Sequence, residues 1–206
     1  MIKIENTIVT GWEAAIRGAR NPMNSHARSD SGFKDGYYVI GENDLDLLTR
    51  LSAAGNDHGK FMRMIHVQCD VTAPLFWWKE ADQYKVGTTT NSTSTMHKIH
   101  SSPITVDDFS IENYENLGEW KDAFSGVIED CENLRLTYNL TGDKRYWRML
   151  IELLPESYNQ MRTWDTNYAV LKNIYYARKG HKLIEWEQMR EFIETLPHAD
   201  KLIIGR

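Results

Sequence analysis

The sequence predicts an α+β domain, and three observations carry that reading. Ile65, Val67, Cys69 and Val71 alternate with His66, Gln68, Asp70 and Thr72. That is period two, one apolar face and one polar face, which defines a strand. The second half instead repeats its apolar residues every three or four positions, the helical period. Nowhere do strands and helices alternate in βαβ fashion, which argues against a doubly wound sheet. A chain of 206 residues fits one domain, taken as residues 1–206.

The elements follow in order. Residues 1–20 mix apolar and basic side chains and form a strand or a short helix. Residues 20–36 are rich in Asn, Ser, Asp and Gly and read as a loop. Asn43 or Asp44 can cap a helix over 44–54, where Leu45, Leu47, Leu48, Leu51 and Ala54 make a stripe. After the strand, Ala73-Pro74 stops the ladder, because proline has no N–H to donate. Residues 75–85 are amphipathic and helical. Residues 87–95 are Gly-led and hydroxyl-rich, with weak helix propensity, so they form a loop or are held by what they bind. Helix is predicted over 111–138 through Trp120, Phe124, Val127, Cys131 and Leu134, and again over 144–154. Pro155 opens a further long helix, with Tyr158, Met161, Trp164, Tyr168, Leu171 and Tyr175 as its stripe and Gly180 at its end. Residues 183–195 form the last helix.

Composition bounds the function classes. Hydrophobic residues make up 41% of the chain, enough for a sizeable core, and the aromatic content argues against disorder. No apolar run reaches the ~20 residues of a bilayer span, and the N-terminus lacks a signal-peptide stretch. The expectation is a cytoplasmic protein with no membrane partner. Lys and Arg number 24 against 29 Asp and Glu, a net charge of −5, which disfavours nucleic acid as a partner. Cys69 and Cys131 offer no metal spacing and no disulfide framework, and both are expected buried and reduced.

Several side chains could carry chemistry, each with an ordinary alternative. His58 could contact a ligand at the mouth of a sheet, or be a surface histidine at a helix end. His97 and His100 suit a metal only on a helix, and no third ligand stands at a recognisable spacing, so no metal is expected. Arg17, Arg20 and Arg28 flank a polar loop that could offer guanidinium forks to a phosphate, or simply be solvated. The hydroxyls of 88–95 could cradle a phosphate or a pyrimidine edge, although the Walker pattern is missing. Asn167 and Arg178, eleven residues apart on the predicted helix, would share a face and could approach a nucleotide or flavin.

Two segments resemble a known family. His58-Gly-Lys-Phe-Met-Arg-Met-Ile-His-Val-Gln-Cys-Asp-Val-Thr-Ala-Pro74 is similar, without a gap, to the histidine-to-Ala-Pro segment of flavin-dependent thymidylate synthases. Glu152-Leu-Leu-Pro155, followed by Trp164, Asn167, Asn173 and Arg178, resembles that family's Leu-Pro helix in identity and spacing. The resemblance implies the family's α+β fold, an antiparallel sheet with flanking helices, and a homotetramer with sites between subunits. It implies FAD as cofactor, with His58, Asn167 and Asn173 on the flavin side and Lys85 as the remaining cation. It implies a dUMP-like pyrimidine deoxynucleotide as substrate, held by Ser92, Thr93, Ser94 and Arg148, with Arg178 polarising the base for one-carbon or hydride transfer to C5.

One motif departs from the family. Its Arg-His-Arg, seven residues, Ser, one residue, Arg signature falls on Gln83-Tyr84-Lys85, Thr93 and Thr95, or one register later on Tyr84-Lys85-Val86, Ser94 and Met96. Neither register keeps the arginines. The family's Arg before Leu-Pro falls on Ile151, with Arg148 one turn away. Its Gln ahead of the signature falls on Glu80 or Ala81. Each lost charge-assisted phosphate contact costs about 1.5–3 kcal/mol. Two function classes therefore stand: a divergent methyltransferase of the thymidylate synthase type, or a catalytically inactive protein that binds a nucleotide or other small ligand without FAD. A structural protein with no ligand is the third.

Overall fold

The computed structural model describes residues 1–112 and 114–205. The elements run β1 (Lys3–Thr10), α1 (Trp12–Arg20), β2 (Gly32–Lys34), β3 (Tyr37–Val39), α2 (Glu42–Ala53), β4 (His66–Pro74) and α3 (Leu75–Ala81). Then come β5 (Thr89–Ser92), α4 (Thr95–Lys98), α5 (Glu119–Thr141), α6 (Lys144–Leu153), β6 (Asn159–Asn167), α7 (Tyr168–Ala177) and α8 (Ile184–Glu194). The larger sheet has the order β1-β4-β6-β5, and β2 pairs antiparallel with β3. The α+β class read from the sequence is borne out.

The chain forms two compact units. The first comprises residues 1–3, 71–83 and 91–162; the second comprises 4–70, 84–90 and 163–206. In the first unit, α5 and α6 pack together. Their core joins Ile99, Ile104, Phe109, Ile128, Cys131 and Leu150. Gly142, with φ of 68°, closes α5, and the Asp143 carboxylate caps α6 by accepting from the Arg145 N–H at 2.9 Å. In the second unit, the core includes Leu48, Ile65, Tyr168, Leu171, Ile174 and Trp186, all fully buried. Gly11 links β1 to α1 with φ of 89°, and a Cβ there would lie 1.9 Å from the Met64 carbonyl oxygen, so only glycine fits.

The period-two strand stands where its alternation put it, with Val67, Cys69, Val71 and Ala73 buried. Four expectations are corrected. Residues 159–167 form a strand, not the first half of a helix. Tyr158, Met161 and Trp164 imitate helical spacing, but Gln160, Trp164 and Thr166 are buried at strand period, with Asn167 buried at the strand's end, in a stretch containing β-favouring Thr163, Trp164 and Thr166. Helix α5 starts at Glu119 rather than 111, and Trp120 from its predicted stripe is 69% exposed. The loop over 20–36 contains β2, joined to β3 by Asp35-Gly36 with positive φ at both residues, the favoured hairpin turn. The hydroxyl-rich loop contains β5. Among the described residues no helix is long and apolar enough to cross a membrane.

Candidate functional site

The second unit contains a cleft of about 650 Å³, within the range of small-molecule sites. Ser52, Asn56, Gly59, Arg63 and His66 line it from α2, the short 3-10 turn Gly59–Met64 and the start of β4. Val86 and Gly87 enter from the segment before β5, and Asn167, Lys172, Asn173 and Tyr176 from the N-cap and body of α7. Among the described residues lining it there is no carboxylate, in a chain of net charge −5.

Asn167 is the N-cap of α7, and its carbonyl oxygen accepts from the Val170 N–H at 3.1 Å. Its amide nitrogen donates to the Gly87 carbonyl at 3.0 Å. The buried side chain thus ties the 84–90 segment to the start of α7. Gly87 has φ of 75°, and a Cβ there would sit 3.0 Å from that amide nitrogen. Asn173, one turn and a half further along α7, is exposed on the cleft wall. Lys172 donates to the Ser52 carbonyl and hydroxyl at 2.9 and 2.8 Å, and burial pulls its ammonium below the ordinary lysine value. His66 Nδ1 lies 3.0 Å from Asp165 Oδ1, both side chains half-exposed.

Asn167 lines the cleft and Arg178 does not. The two residues cap opposite ends of α7, about 15 Å of helix apart. Arg178 Nε donates to the Tyr84 hydroxyl at 2.8 Å, and its guanidinium lies 4.3 Å from the Trp186 ring centroid. Its Nη1 stands 3.2 Å from His181 Nε2.

The expected site residues are divided between the two units. Asn167 and Asn173 line the cleft. His58 is exposed beside it, with Asn56 and Gly59 in the lining but His58 outside, and Lys85 is exposed and likewise outside. Ser92, Thr93, Ser94 and Arg148 belong to the first unit. There Ser92 ends β5 and is exposed. Thr93 donates its N–H and hydroxyl to the Met161 carbonyl at 2.9 and 3.2 Å, and the Ser94 hydroxyl accepts from the His97 N–H to cap α4. Arg148 is exposed and paired with Glu152 at 2.6 Å. Arg63, His66 and Lys172 were not singled out by sequence reasoning. Arg63 and His66 lie inside the His58–Pro74 stretch and Lys172 adjoins Asn173, so position beside the motif residues was the available signal.

A second cavity of about 310 Å³ has Arg17, Arg20 and His26 in its wall. Arg20 is buried and committed: Nε pairs with Asp44, and its two terminal nitrogens donate to the Ser25 and Arg28 carbonyls at 3.2 Å. Arg17 pairs with Glu13. The polar loop's arginines are thus largely engaged within the chain. Cys69 and Cys131 are free thiols and buried. Among the described residues no cluster of His, Cys, Asp and Glu able to hold a metal is found.

No protein-family model matches the chain, and no curated protein sequence matches it. Solved structures do. The fold is similar to that of flavin-dependent thymidylate synthases. One match is the flavin-dependent thymidylate synthase ThyX from Helicobacter pylori complexed with FAD and dUMP, with TM-score 0.69 and 18% identity over 98% of this chain and 97% of that one. Another structure of Helicobacter pylori ThyX with FAD and dUMP gives TM-score 0.68 and 16% identity over the same shares.

Proposed function

We propose that residues 1–206 act as one thymidylate synthase (FAD)-like domain that binds a flavin nucleotide in the 650 Å³ cleft. The observation that carries this is the meeting of Asn167 and Asn173 in a cleft lined by Arg63 and Lys172 without a carboxylate. Such a lining suits a polar ring flanked by phosphates. The residues fit FAD in part. Asn173 would hold the ring, Asn167 shapes the wall, and Arg63 and Lys172 would hold the anionic portion. His58 and Lys85 would need to move to contribute. A bound flavin would supply hydride chemistry. The chain's own contribution would be to orient the ring and to stabilise charge on a dUMP-like pyrimidine deoxynucleotide through Arg178. The sequence resemblance supports reading the working assembly as a homotetramer, which we place in the cytoplasm.

A second reading is favoured by one contact. Arg178 is already held by Tyr84 and Trp186. While that contact persists, the arginine is not free to polarise a pyrimidine. Together with the lost signature arginines, this supports a protein that binds a nucleotide without transferring a one-carbon unit. Titration with FAD and with dUMP, followed by a thymidylate-formation assay with a one-carbon donor, separates the readings. FAD binding with product formation supports the enzyme. Binding of dUMP with neither FAD binding nor product supports the second reading.

A further inference from the structure

We propose that Arg63 and Lys172 form a phosphoryl-binding subsite in the cleft, with His66 as an adjacent hydrogen-bonding group. Most arginines of this acidic chain are engaged. Arg17, Arg20, Arg50, Arg135, Arg162 and Arg190 each pair with a carboxylate. Arg63 has neither an ion pair nor a side-chain hydrogen bond among the described residues, and it is exposed on the cleft wall. Its planar fork matches phosphate oxygens.

Lys172 is the second half of the subsite. An ammonium has three N–H donors. Two of them go to Ser52, which fixes the head group and leaves one donor. The 3-10 turn that bears Arg63 packs against α7, which bears Lys172, so the two cations come from adjoining elements. His66 enters the lining from the start of β4, with Asp165 holding its Nδ1 and leaving Nε2 for a ligand. Asp165 is not itself part of the lining.

The subsite deepens the flavin-nucleotide reading and rests on it for the identity of the ligand. It places the positive charge for a phosphate on the 59–64 turn and α7 instead of on the segment from 83 to 96. Arg20 cannot supply that charge, because its donors are committed to Asp44 and two carbonyls.

FMN and riboflavin differ by one phosphoryl group, so the ratio of their dissociation constants isolates the subsite. The wild-type chain should bind FMN at least about tenfold more tightly than riboflavin, the weight of one charge-assisted contact. Arg63→Ala and Lys172→Met should each erase most of that ratio by weakening FMN binding far more than riboflavin binding. Arg63 is exposed and unpaired, so its variant should fold normally. An unchanged ratio in a folded Arg63→Ala protein overturns the subsite and leaves flavin binding standing. If neither flavin binds, the flavin reading fails, and thermal stabilisation by inorganic pyrophosphate decides the subsite. Stabilisation lost in Arg63→Ala supports it; stabilisation that is absent, or unchanged in the variant, overturns it.

Discussion

The Tyr84 hydroxyl accepts a hydrogen bond from Arg178 Nε at 2.8 Å, joining the segment before β5 to the C-terminal end of α7. In either register of the degenerate signature, Tyr84 stands where the resembling family places an Arg or a His. The phenol takes up a guanidinium that the family resemblance assigns to a pyrimidine. Trp186 covers the same guanidinium from α8.

Replacing Tyr84 by Phe removes one half-buried hydrogen bond and keeps the ring. The expected loss is about 1 kcal/mol, or a Tm lower by roughly 2–4 °C. Freed from the phenol, Arg178 should bind dUMP more tightly than in the wild type, measured by calorimetry. Unchanged dUMP affinity with the stability loss present would show that the contact does not limit the arginine.

Asn167→Ala removes the cap of α7 and the tether to Gly87 together, and should cost about 1–3 kcal/mol. Asn167→Asp keeps the cap acceptor but loses the donor to Gly87. It should therefore preserve most of the helix while exposing the 84–90 amides to faster hydrogen exchange.

Asp44 gives a pH signature. Burial pushes its carboxyl up, but hydrogen bonds from Ser31 and Ser29 and the Arg20 guanidinium outweigh that and hold it at about 2, below the ordinary 3.8. A depressed carboxyl stabilises the fold above its unfolded value and loses that contribution as pH falls toward the folded one. Stability worth about 2 kcal/mol should disappear between pH ~5 and pH ~2. Asp44→Ala should abolish that portion and cost about 3–5 kcal/mol at neutral pH, because it strands Arg20 as a buried unpaired charge.

Burial pushes the Cys69 thiol up to about 12 and the Cys131 thiol up to about 11. Both should resist alkylation at neutral pH in the folded chain and react only after unfolding, since the thiolate is the nucleophile. Mass spectrometry after a brief iodoacetamide pulse reads this directly.

The fold class was legible because alternation in β4 and helical spacing in α2, α6 and α8 are local signals. The 159–167 strand was not, since Tyr158, Met161 and Trp164 fall at three-residue steps while the buried face runs through Gln160 and Thr166, which composition does not mark as core. The candidate site was partly legible: Asn167 and Asn173 carry the family spacing and line the cleft. Arg63 and Lys172 were marked only by their position beside motif residues, because nothing in a sequence shows which arginine lacks a carboxylate partner or which lysine is anchored by a serine 120 positions away. The Thr93 hydroxyl is engaged by the Met161 carbonyl and the Ser94 hydroxyl by the His97 N–H, contacts that residue type alone does not reveal.

The most direct test of the central claim is a fluorescence titration of FAD into the purified chain and into Asn173→Ala. The account predicts saturable binding by the wild type and binding weakened at least about tenfold in the variant. A folded wild-type chain that shows no saturation at high micromolar FAD, or a variant that binds equally well, would contradict it.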